Sequence, residues 1–325
     1  MHPAFSVIFL TTLIGAGQGL FLALVTAESY ATVSLLPMAA HGFFVTGSAL
    51  ALLLLTGGLI ASFFHLGHPE RAWRAAARWR TSWLSREVIV LPLVMGAVFV
   101  YGLIHYFGWR LDIVGIESGL ANDLTLLVGA GGAAAAFLLF LCTGMIYACL
   151  RFLQEWATWL TVVNYTLLGG ASGFTLATAL AAFQAPELVA FYAVWSLILT
   201  AAAFVTRVAS LIRNARLRPK SSLQTAIGVR HARIAQKSQG FMGGSFNTRE
   251  FFHGAPRWAF RSVKWLFLAL TFALPALLLA AGFRSGAAAL LAAAFVIQYL
   301  GLLAERWFFF AQANHPQNLY YQAVS

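Results

Sequence analysis

The chain has 325 residues, of which 60% are hydrophobic and only 10% charged, with a mean hydropathy of +0.78. That is too apolar for a soluble domain of this length. The formal charge of +11 does not point to nucleic acid, because the basic residues flank apolar runs, and two cysteines are too few for a disulfide framework or an iron–sulfur cluster.

Apolar runs of about 20 residues recur, each long enough to span a hydrocarbon core ~30 Å thick. They are continuous rather than alternating, which argues against a β-barrel. The expected fold is all-α: a polytopic membrane protein with eight transmembrane helices, arranged as two packed four-helix bundles. No internal repeat stands out.

Segment 1 covers about residues 4–27. No Lys or Arg precedes it, so it is expected to be a permanent span rather than a cleaved signal peptide. Gly15 and Gly19 form a GxxxG that lets a neighbouring helix approach closely. Gln18 lies mid-span and needs a partner, from an interhelical hydrogen bond or a buried polar site. Segments 2 to 4 cover about 38–64, 87–107 and 120–150. Segment 5, about 159–183, carries Gly169, Gly170 and Gly173. Segments 6 to 8 cover about 188–212, 259–283 and 286–310. Cys142 and Cys149, on segment 4, are expected to be packing residues.

An even number of spans puts both termini on one face with the 2–3, 4–5 and 6–7 loops. With Arg207 and Arg306 counted among the loop charges, that face holds nineteen of the 21 Lys and Arg residues. The positive-inside rule then places both termini in the cytoplasm. Glu28, Asp112, Glu117, Asp123 and Glu187 fall on the other face. The only sizeable extramembrane segment is the basic loop 213–258. Its second half is rich in aromatics and glycine, and Arg249, Glu250 and His253 suit it to dock a soluble partner.

Chemistry is expected in the polar stretch from His65 to Glu87, which is dense in Arg, His and Trp. Segment 2 ends at His65 and segment 3 begins at Glu87, so an imidazole and a carboxylate could approach each other where two antiparallel helices end. Such a pair can hold and pass a proton, as a quinone head group requires. Trp83, Phe63 and Phe64 would supply apolar walls, and Arg71 and Arg74 would join the pocket or a docking surface. The plainer reading is that the histidine caps last-turn carbonyls and the arginines meet lipid phosphates. Ser82 is the expected N-cap of segment 3, with Ser85 its competitor. His41 and His105 lie near the far ends of segments 2 and 3. Two histidines can ligate a haem, but this pair alone does not call for one, and no haem is expected. A transporter would place its polar site at mid-membrane, where only Gln18 and Asn164 stand.

Four passages carry a family resemblance: HLGHPERAWRA from His65, SWLSRE from Ser82, GFMGGSFNTREFFHG from Gly240 and AERWFFFAQANHPQNLYYQ from Ala304. Through them the chain resembles the membrane-anchor subunits of dimethyl sulfoxide reductase-type molybdoenzymes, most of all the anchors of the cytoplasmic, membrane-bound sulfite dehydrogenase type. The first passage also resembles the wider polysulfide reductase anchors. The resemblance implies a subunit of the bacterial inner membrane with no metal of its own. Its partners would be an iron–sulfur subunit and a molybdopterin catalytic subunit, with substrate chemistry on those chains. Electrons would pass between the partner's clusters and ubiquinone or menaquinone, with His65 and Glu87 at the quinone site. The basic-face assignment favours sulfite oxidation coupled to quinone reduction. The alternative is the anchor of a dimethyl sulfoxide or polysulfide reductase that oxidises menaquinol.

Overall fold

The structure is a computed structural model that describes residues 4–109, 123–218, 221–235, 237 and 257–316. Among these residues every regular element is helical. The long elements are α1 (Phe5–Thr32), α2 (His41–Phe63), α3 (Trp83–Phe107), α4 (Asp123–Ala148), α5 (Trp159–Gln184) and α6 (Val189–Ala215). After the short α7 (Leu223–Ile227), α8 (Arg257–Leu268) runs through a π turn into α9 (Leu274–Ser285), and α10 (Ala288–Ala311) closes the fold. Counting α8 and α9 as one, eight helices among the described residues are long and apolar enough to cross a membrane, as the sequence predicts.

Two helices form the centre. In α1 and α5, 72% of the most apolar window is buried, against 33–39% in the other six. The cause is small side chains. Gly19 of α1 lies on the Gly169 carbonyl, and Gly173 of α5 lies on the backbone of Gly19 and Leu20, with no room for a Cβ at either contact. Without a hydrophobic drive between helices in lipid, such close backbone approach is what makes association favourable. The predicted GxxxG contact is therefore present. Around the centre, α1 packs on α2, α4, α5 and α10, α2 on α3, α3 on α4, α5 on α6 and α10, and α9 on α6 and α10.

The starts of α1, α3 and α5 and the ends of α2, α4, α6 and α10 lie together. We call this the basic end, because the arginine-rich loop lies there. Ile8, Trp156, Tyr165, Phe309 and Phe310 form an apolar cluster at this end, and the indole of Trp156 donates to the Phe309 carbonyl at 2.9 Å.

The π turn has a local reason. Pro275 offers no N–H to the carbonyl of Thr271 four residues earlier. The Gln298 amide donates to that carbonyl at 3.3 Å instead, and Gly301 leaves space for α10 to approach there. A polar group on one helix thus satisfies backbone freed on another.

Candidate functional site

The start of α3 decides where Glu87 lies. Ser82 caps the helix by accepting from the Ser85 N–H at 3.3 Å, so α3 begins at Trp83 and not at the first apolar run. Glu87 is therefore one turn inside the helix and only 8% exposed. The Thr143 hydroxyl of α4 donates to its carboxylate. A cavity of about 20 Å³ lies beside it, lined by Thr11, Thr12, Gln18, Glu87, Thr143, Tyr165 and Arg306 among apolar neighbours. That volume suits a single water, not a ring. Gln18 lines this cavity, and its Oε1 atom has no hydrogen-bond partner among the described residues.

His65 lies elsewhere. It follows the last turn of α2, is exposed, and reaches back to the Ala61 carbonyl. Partial desolvation holds its imidazole below the ordinary histidine value, against the opposing pull of that hydrogen bond. No ion pair or hydrogen bond within 4 Å joins His65 to Glu87. The reason is geometric: α1 presents opposite faces, with Thr11, Thr12 and Gln18 toward the Glu87 cavity and Ser6, Phe9 and Leu13 toward α2.

That second face of α1 borders an apolar groove of about 370 Å³, completed by Gly57, Ile60, Ala61 and Phe64 of the α2 end. Its lining stops one residue before His65. Its size falls in the range of small-molecule sites and its lining is apolar, whereas the cavity beside Glu87 is too small for a ring. Ser6 is the polar side chain in this lining, and His65 follows Phe64 just outside it.

The other expected site residues spread out. Arg71 lies on an exposed 3₁₀ turn, Pro69–Arg78, with its Nε 3.5 Å from Glu70, which also meets the His68 Nδ1 at 3.1 Å. Arg74 is exposed and lies over the Trp73 ring. Trp83 packs partly buried against the core, with the Arg86 guanidinium 4.1 Å from its ring centroid. Arg249, Glu250 and His253 lie outside the described residues. Cys142 is buried as expected, whereas Cys149 is exposed.

Two buried polar clusters correct the sequence reading. Arg207 and Arg306, counted there as loop charges, are 2% and 4% exposed. They flank the buried Glu305, with Arg207 Nε at 2.7 Å and Arg306 Nη1 at 3.3 Å from its oxygens. The Arg306 guanidinium also covers the Tyr165 ring at 3.6 Å. The legible signal was three charges inside apolar runs, which are costly in a membrane unless paired. Glu28, expected on the far surface, is inside α1 and fully buried, because that helix continues to Thr32. Its carboxylate accepts from Tyr101 at 2.7 Å and faces His105 Nε2 at 3.4 Å, and His105 meets His41 Nδ1-to-Nδ1 at 3.2 Å. The two histidines thus contact each other directly.

Eight apolar helices around buried polar clusters define an integral membrane protein. The chain belongs to the DMSO reductase anchor subunit (DmsC) family, whose model matches residues 1–310. It is also 58% identical to the C subunit of the sulfite dehydrogenase of Allochromatium vinosum over 325 residues, which is 100% of both chains.

Proposed function

We propose that this protein is the quinone-reactive anchor of a molybdenum–iron–sulfur oxidoreductase in the bacterial inner membrane, and that it serves sulfite oxidation coupled to quinone reduction. Two partner chains, an iron–sulfur subunit and a molybdopterin subunit, dock on the basic end, which faces the cytoplasm. Loop 213–258, with Arg249, Glu250 and His253, contributes to that docking, together with Arg71 and Arg74. Even with Arg207 and Arg306 removed from the loop count, the remaining Lys and Arg residues stay heavily biased to that end. The similarity to the Allochromatium vinosum sulfite dehydrogenase subunit supports sulfite as the partner's substrate.

The observation that carries the reading is the α1–α2 groove, whose lining ends at Phe64, the residue before His65, on the same end as the arginine-rich turn. A bound quinone supplies a two-electron, two-proton acceptor. His65, whose imidazole is held below the ordinary histidine value by partial burial, would donate or accept a hydrogen bond there. Glu87 holds a proton-exchanging carboxyl behind α1, next to water-sized space. Trp83 shapes the start of α3 by packing, rather than forming a wall of the groove.

The test is His65→Ala in the intact complex. Quinone-linked sulfite oxidation should fall by about a hundredfold or more, the scale of a lost proton-transfer group, while dye-linked oxidation by the partner subunits persists. Normal quinone-linked turnover in that variant refutes the assignment.

A further inference from the structure

Glu87 is 8% exposed and has no ion pair or hydrogen bond with His65, so its protons need a way in from the surface. A second cavity, of about 10 Å³, lies beside the first at the basic end. Tyr165 and Arg306 line both cavities and form the partition between them. The second cavity is bounded toward the surface by Glu155 and Gln312, both partly exposed, and toward the interior by Arg207 and Glu305. Hydrogen bonds from Arg213 to the Gln154 carbonyl (3.0 Å) and from Asn214 to the Glu155 carbonyl (3.4 Å) hold the α4–α5 turn over this mouth.

The polar atoms along this line are not satisfied by protein. Gln312 Nε2, Arg207 Nη2 and Gln18 Oε1 are buried atoms without a hydrogen-bond partner among the described protein groups, and they stand along the two cavities in that order from the surface inward. Buried polar atoms beside water-sized space are where ordered water binds. Beyond Gln18 the line stops. The α1–α5 glycine contact leaves no gap, and Phe21, Leu24 and Ala23 of α1 are fully buried apolar side chains between it and Glu28.

We propose that the two cavities form a hydrated proton route from a Glu155–Gln312 mouth at the basic end to Glu87. The far-side Glu28–His105–His41 cluster is not on it. The route rests on the reading that Glu87 exchanges protons with the quinone reaction. In each transfer Glu87, as a carboxylate, takes one proton from the water next to it and then gives it up to the quinone reaction, which returns Glu87 to the carboxylate. That water is replenished along the route, and Glu155 supplies the proton and recovers one from bulk water at the basic end. The charge arrangement suits this. Two guanidiniums face one Glu305, so one positive charge is uncompensated, and Glu87 is the only acidic side chain among the described residues on the inner cavity. That charge opposes passage of a free hydronium ion. Proton uptake then comes from the basic end alone.

The experiment has two arms on the intact complex in nanodiscs. Hydroxyl-radical footprinting in ¹⁸O-water, read by mass spectrometry, marks buried side chains next to bound water. Tyr165 and Phe309, which line the cavities, should oxidise well above Phe21 and Phe43, which are buried in dry core. In Glu155→Leu/Gln312→Leu, the Tyr165 signal should drop. Quinone-linked turnover of that variant should also fall by about a hundredfold, with dye-linked turnover retained as proof of assembly, and with partial rescue by a small weak acid such as formate. Labelling of Tyr165 no faster than that of Phe21 overturns the route. So does unchanged quinone-linked turnover in the double variant. If the unsubstituted complex shows no quinone-linked turnover, the quinone reading itself fails, and the footprint still decides whether the route is hydrated.

Discussion

The buried triad at the basic end allows a sharp stability prediction. Glu305 is fully buried and, among the described residues, is the only carboxylate paired with Arg207 and Arg306, themselves 2% and 4% exposed. Replacing it with leucine fits the volume but strands two desolvated guanidiniums. Breaking a buried ion pair in this way costs about 3–5 kcal/mol, because a charge is left uncompensated, which corresponds to a fall of roughly 5–15 °C in the melting midpoint. Arg207→Met should cost much less, since Glu305 keeps Arg306 at 3.3 Å. In the Glu305→Leu background, Arg207→Met should restore part of the loss, giving a coupling of about 1–3 kcal/mol in a double-mutant cycle. Cys142 provides the assay. It is fully buried, so in a Cys149→Ser background a thiol-reactive fluorophore reports unfolding at a single site. A midpoint for Glu305→Leu no lower than that of Arg207→Met refutes the view that charge compensation holds this end together.

Three further outcomes follow from the same reasoning. Gly173→Val places side-chain atoms against the Gly19 backbone and should destabilise by about 1–3 kcal/mol or more, whereas Gly42→Ala, which meets nothing within 4 Å, should be neutral in the same melt. His105→Ala removes the imidazole that faces the buried Glu28 and should cost about 1–3 kcal/mol. A Glu28→Gln change in that background should recover part of it, and a loss that is simply additive would argue against the pairing. The low imidazole value at His65 has a definite sign. Between the folded value and the ordinary value near 6.5, the folded chain binds fewer protons there than the unfolded chain. Stability should therefore fall as pH drops through that window, and His65→Gln should remove that part of the slope. A steeper slope in the variant would show that the shift is upward.

The class of this protein was legible from residue order alone. Continuous apolar runs fix the number of helices, because a membrane leaves the backbone no other way to satisfy itself, and Gly15, Gly19, Gly169 and Gly173 mark where helices touch because only small residues allow that approach. The Ser82 cap was also legible, and following it to its end would have put Glu87 inside a helix. What sequence could not supply was which face of each helix meets which neighbour. His65 and Glu87 stand at adjoining helix ends in sequence order, yet α1 comes between their surroundings, since packing chose opposite faces of α1 for the groove and the cavity. Arg207 and Arg306 read as loop charges, and Glu305 fell within the last apolar run. Only their meeting across α6 and α10 brings three expensive charges into one paired cluster. The same holds for Glu28 and His105, which are 77 positions apart and become a pair only through the α1–α3 arrangement. Local propensity and hydropathy act on neighbours along the chain, whereas ion pairs, cavities and routes depend on long-range contacts, which tertiary packing alone decides.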